Sequence, residues 1–153
     1  MTSDPAPEPP ARPATELPRP QGRYVPVVVH DGVAMSAGMT PRIGQDLAYR
    51  GTIGVDLDLD EAKRAAALAA SNALAVITEA AGGPDAVERT LRMTVYLACT
   101  AGFTQHSAVA DAASEVLTEA LGDRGRVVRS AIGVSSLPSG APVEVELSAA
   151  IRP

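Results

Sequence analysis

Cysteine is nearly absent from this 153-residue chain, which has one, Cys99, and no tryptophan, one phenylalanine and three tyrosines. One sulfur makes neither an intrachain disulfide framework nor a cysteine-based zinc site, so a reducing cytoplasm is the expected setting. No run approaches the ~20 consecutive apolar residues of a membrane span, and the N-terminus has no basic start followed by an apolar stretch, so neither a membrane anchor nor an export signal is expected. Positive charge is also short. Thirteen Lys and Arg against eighteen Asp and Glu leave a formal charge of −5, the wrong sign for gripping a phosphate backbone. With aromatics at 3% there is no basic-aromatic surface pattern, and nucleic acid is not expected as a partner.

What is present has the size of one domain with room for a core, 46% of its residues being hydrophobic. Residues 1–22 hold Pro5, Pro7, Pro9, Pro10, Pro13, Pro18 and Pro20 with almost no large apolar side chain except Leu17; they read as a proline-rich, disordered leader, and the domain is expected over 23–153. From Tyr24 onward, Val25–Val29 and Val33–Ala37 flank His30-Asp31-Gly32, an Asp-Gly hairpin signal. A glycine-punctuated stretch with Gly44, Gly51 and Gly54 reads as a further short extended segment.

Asp58 followed by Glu61 has capping-box spacing. A helix should follow, with Ala65, Leu68, Ala69, Asn72, Ala73, Val76, Ile77 and Ala80 on its packing side and Gly82-Gly83-Pro84 closing it. Thr90–Leu97 alternates, placing Leu91, Met93, Val95 and Leu97 on one face and Thr90, Arg92, Thr94 and Tyr96 on the other. A second helix is expected from about Gln105 to Leu121, capped by Thr104 and closed by Gly122, and two strands over about 126–135 and 142–151 complete the chain. This order predicts an α+β fold: a mixed sheet with two helices on one face. The other face would carry Thr, Tyr, Arg and Glu side chains with no element left to cover it, so a homo-oligomer with ligand sites near subunit boundaries is expected.

His30 and His106 belong to no metal or triad pattern and read as surface residues; Cys99 has no adjacent cation in sequence and reads as an inert, at least half-buried thiol. Arg129 lies in an otherwise apolar strand, where a cation needs an anion. The two last strands read as a hairpin turning at Ser135–Pro142, so Glu144 and Glu146, which alternation puts on one face, are the expected salt-bridge partners, either one of them.

Arg129-Ser130, Leu137-Pro138 and Val143-Glu144-Val145-Glu146 resemble the C-terminal signature of the RidA (YjgF) family. Tyr24-Val25, Ser36-Ala37-Gly38, Asn72-Ala73-Leu74 with Ala80-Ala81-Gly82, Thr94-Val95-Tyr96 and Gly102-Phe103 follow in the family's order, so that the resemblance covers about residues 22–152. It implies the chorismate mutase-like α+β fold of that family, assembled as a homotrimer with clefts between subunits. It further implies hydrolysis of reactive imines and enamines, such as 2-iminopropionate, to keto acids and ammonia, without metal or organic cofactor. By the same resemblance Arg129 would grip the substrate carboxylate bidentately. Glu144 would activate the attacking water, Tyr24 would line the pocket, and backbone groups around Gly38 would hold the substrate nitrogen.

The chain departs from the family pattern at Met39, where glutamine is usual, at Ala37 for serine, at Ala131 for cysteine and at Ser107 for asparagine. These four positions imply a less polar or larger pocket. Beside imine deamination stand two alternatives: a non-catalytic trimeric protein that binds a small carboxylate, and a tailoring hydrolase or deaminase of a larger metabolite. The endoribonuclease activity also attributed to the family is disfavoured by the charge.

Overall fold

The computed structural model describes residues 16–153. Most of the leader expected over 1–22 therefore lies outside the described residues; 16–22 holds no helix or strand. The elements are β1 (Val27–His30), β2 (Val33–Ser36), β3 (Arg42–Ile43), β4 (Asp46–Leu47), α1 (Leu59–Ala81), β5 (Val87–Ala98), α2 (His106–Leu121), β6 (Val128–Val134) and β7 (Val143–Ile151). β1, β2, β7, β5 and β6 form one mixed sheet in that order, and β3 with β4 a small separate ladder. Both helices pack on one side, which is the expected α+β architecture.

Local chemistry explains the first half. The β1–β2 turn needs two consecutive left-handed residues, and Asp31 (φ 47°) and Gly32 (φ 74°) supply them. At the start of α1 the capping box forms in both directions: Glu61 N donates to Asp58 Oδ1 and Asp58 N to Glu61 Oε2, each at 2.8 Å. Gly82, left-handed at φ 92°, ends the helix. The buried face of α1 is wider than the predicted stripe, taking in Ala62, Ala66, Ala70 and Leu74, because α1 packs on both the sheet and α2; Ala80 is exposed in its last turn.

Three expectations are corrected. Thr104 does not cap α2: the helix begins at His106 behind Gln105, whose side chain makes no cap bond. In β5 the alternation breaks at a register shift between Thr90 and Arg92, so Thr90 is buried and Leu91 turns outward. The third correction is topological. β6 and β7 form no hairpin: they lie on opposite sides of β5, β6 parallel to it through the α2 crossover and β7 antiparallel between β5 and β2. Val134 pairs with Ala98 and Val143 with Leu97, so segment 135–142 passes over the end of β5 instead of turning back on β6.

The buried side chains are apolar except for Asn72, Thr90 and Thr94, and Asn72 is the largest of the three. Asn72, fully buried on α1, donates from Nδ2 to Thr40 O and Arg42 O, both at 3.0 Å, and so ties the irregular segment before β3 to the helix. Leucine has nearly the same size but no donor, and would leave two carbonyls unpaired in a dry site. Asn72→Leu should lower unfolding free energy by about 2–4 kcal/mol in a urea titration. A change under ~0.5 kcal/mol would mean that water replaces the amide.

Candidate functional site

Pairing with β5 decides which way β6 and β7 point their side chains. Arg129, Ala131 and Gly133 sit opposite Met93, Val95 and Leu97, on the face covered by the helices. Glu144 and Glu146 sit opposite Tyr96 and Thr94, on the uncovered face. The sheet itself thus separates Arg129 from both glutamates within one chain.

Arg129 finds its anion on α2. Its Nη1 donates to Ser114 Oγ at 2.7 Å; Nη2 donates to Ser107 O (3.1 Å), Ser107 Oγ (3.0 Å) and Asp111 Oδ1 (2.7 Å). Positions 107, 111 and 114 lie three and four apart, so one helix face presents all of these acceptors to β6. The expected pair with Glu144 or Glu146 is replaced by Asp111. The signal was available in the Ser-x3-Asp-x2-Ser spacing flanking the packing stripe of α2, but it gains meaning only once β6 is known to run beside that helix. Ser107 does join Arg129, and Ala131 follows on the same face of β6.

Further along that face lies an open pocket of about 440 Å³, lined by Cys99, Phe103, His106, Gly133 and Ser135 among others. Cys99 Sγ lies 3.8 Å from His106 Nε2, and the His106 ring meets Phe103 edge-on with centroids 5.3 Å apart. A β-carbon at position 133 would come within 2.7 Å of His106 Nε2 and 3.1 Å of Cys99 Sγ, so glycine is what lets the imidazole reach the strand. His106 is therefore half-buried at a pocket wall instead of lying on the surface as expected. Cys99 is half-buried as expected, and burial pushes its thiol pKa up, which keeps it protonated. His30 stands fully out in solvent beside Asp31.

On the uncovered face, Tyr96 Oη donates to Glu146 Oε1 at 2.9 Å. Glu144 is half-buried, and no hydrogen bond to its carboxylate is found among the described residues. Its pKa is raised, first by loss of water around the carboxylate and second by the charge of Glu146. Gly38 makes room for this side chain: a β-carbon there would sit 2.4 Å from Glu144 Oε1. Gly38 and Glu144 are thus neighbours. Met39 exchanges two 2.8 Å backbone hydrogen bonds with Val145 and buries its thioether in the core, so it acts here as a packing residue. Ala37, partly buried against the same core, donates its N–H to Pro26 O. Tyr24 is half exposed, its hydroxyl accepting from Gln21 N at 3.1 Å.

Residues 13–150 match the sequence model of the family described as "YjgF/chorismate_mutase-like, putative endoribonuclease". The chain belongs to the YjgF (RidA) family. Among curated relatives, protein TCP17 of Trypanosoma cruzi is 31% identical over 128 residues, 83% of this chain and 80% of TCP17. The crystal structure of Atu1372 from Agrobacterium tumefaciens is 31% identical, with a TM-score of 0.84 over 90% of this chain and 87% of that one. TdcF of Escherichia coli, solved with bound serine, shares the fold at 22% identity, TM-score 0.66, over 90% of this chain and 94% of TdcF. Among the described residues no helix is long and apolar enough to cross a membrane.

Proposed function

We propose that this chain hydrolyses small carboxylate-bearing imines and enamines to keto acids and ammonia, with Arg129 as carboxylate anchor and Glu144 as the group that activates water. The observation that carries the proposal is the Arg129 socket: a side chain only 20% exposed, its planar fork held in place by α2 and presented to an anion at the position Asp111 now takes. TdcF, with its bound serine, is a relative of the same fold that holds a small carboxylate ligand. Of the two glutamates, Glu146 is already engaged by Tyr96, whereas Glu144 has no hydrogen-bond partner among the described residues and has a raised pKa, the condition of a usable general base. Water adds to the carbon of the protonated imine as Glu144 takes its proton; Glu144 returns that proton to the carbinolamine nitrogen, and as the hydroxyl loses its own proton to solvent the C–N bond breaks, expelling ammonia and leaving the keto acid. The −5 charge favours a small-molecule substrate over the nucleic acid named in the family description.

Arg129 and Glu144 face opposite ways in one chain, so the proposal requires the two to meet across a subunit boundary, in the homotrimer that the family resemblance implies. The uncovered face supports association, since Val28, Met35, Val128 and Ile132 are exposed there beside the polar groups. The same separation favours one second reading, a protein that binds a small carboxylate through the Arg129 socket without turning it over. Release of ammonia and keto acid from 2-aminoacrylate, generated in place by a serine dehydratase, decides between them. Acceleration over the protein-free reaction is expected, and none would leave binding alone.

A further inference from the structure

The Arg129 socket is filled by the chain itself, and its members differ in how firmly they are held. Ser107 and Ser114 contribute a carbonyl and two hydroxyls, all neutral, from the body of α2. Asp111 contributes the only charge. The arginine side chain is 20% exposed and the aspartate 63%, so the cation is fixed in place while most of its anion stands in water. A short aspartate side chain that exposed swings out by one rotamer change, and water receives its carboxylate at little cost. The guanidinium has no such freedom, because its other acceptors stay.

From this asymmetry we infer that Asp111 is a built-in competitor for the substrate carboxylate and sets which carboxylates the site accepts. The inference rests on the reading of Arg129 as the carboxylate anchor. An incoming carboxylate must take the place of Asp111 Oδ1 against Nη2, keeping the bonds to Ser107 and Ser114. A ligand offering only a carboxylate, such as acetate, exchanges one carboxylate for another and gains little. A 2-oxo or 2-imino acid, with a second polar group beside its carboxylate, has further bonds with which to win the exchange. Competition therefore lowers affinity for every carboxylate by the same factor, so that at a given concentration only those with a second point of attachment still bind tightly enough to fill the site.

The magnitude follows from occupancy: if Asp111 holds the arginine nine-tenths of the time, apparent affinity is about tenfold below intrinsic affinity. The test is calorimetric titration of the full chain with pyruvate, using the wild type, Asp111→Asn, Asp111→Ala and Arg129→Ala, with folding of each checked by circular dichroism. Both Asp111 variants are expected to bind pyruvate about tenfold tighter, and to keep that gain at about 0.5 M salt, where the field of a removed surface charge is screened. Their gain should be larger for acetate than for the uncharged pyruvamide, and KM for the imine should fall. Arg129-dependent binding by the wild type with no gain, or a loss, in either folded Asp111 variant would overturn the inference and leave the anchor standing. No pyruvate binding by any folded variant would overturn both.

Discussion

Arg129→Ala should remove imine hydrolysis while leaving the chain folded. The two halves of this expectation have separate physical grounds. On the stability side, removing the guanidinium frees Asp111, which is mostly in water already, and Ser107 and Ser114, whose hydroxyls turn to solvent or to the helix backbone. No buried, unpaired charge is left behind, so the costly half-broken ion pair does not arise. On the activity side, the substrate loses the charge-assisted hydrogen bond from Nη2 that Asp111 Oδ1 otherwise takes, worth about 1.5–3 kcal/mol, or about 10–10²-fold in kcat/KM. Arg129→Lys should recover little of this. One ammonium cannot meet Ser114 Oγ and the Ser107–Asp111 side together, since these acceptors are spread over both terminal nitrogens of the fork. Ammonia release with 2-aminoacrylate, read beside a thermal melt of each variant, checks both halves. More than about a tenth of wild-type kcat/KM in folded Arg129→Ala would remove Arg129 from the reaction.

The site was legible in the sequence to the extent that it depends on local chemistry. Asp58 and Glu61, Asp31-Gly32 and Gly82 each act within a few residues, and each behaves as its spacing predicts. Arg129 and the glutamates stood out for a local reason too, charge within β-branched strands. Their relation to one another is not local. Segment 135–142 is short enough for a hairpin, and no property of its residues announces that it crosses the end of β5; that is settled by which strand edges the core leaves open. Since side chains alternate, the choice of neighbour also fixes the face, and the wrong choice moved Arg129 from the helix-covered side to the open one. The same limit hid the meeting of Cys99 with His106, seven residues apart but joined through Gly133 of another strand, and of Arg129 with Asp111. Thr90 and Leu91 exchanged roles because an irregularity in the β5–β7 ladder has no mark in an alternating string.

Glu144→Gln should lower kcat/KM by about 10²–10⁴-fold, the usual contribution of a general base, and should abolish the acid limb of the pH–rate profile. A base works only after losing its proton, so the wild-type rate should rise with pH through the Glu144 pKa. That pKa is raised, which puts the limb above the ordinary glutamate range. The two causes of the rise can be separated. Glu146→Gln removes the neighbouring charge, the smaller cause, and leaves burial, the larger one, so the limb should move toward lower pH without reaching the ordinary range. The glutamine carbonyl can still accept from Tyr96, which limits any rearrangement of the sheet face. The two variants thus distinguish two carboxylates on one face: loss of the limb for Glu144→Gln, displacement of it for Glu146→Gln. A profile unmoved by Glu146→Gln, or an acid limb that survives Glu144→Gln, would assign the water-activating role to another group.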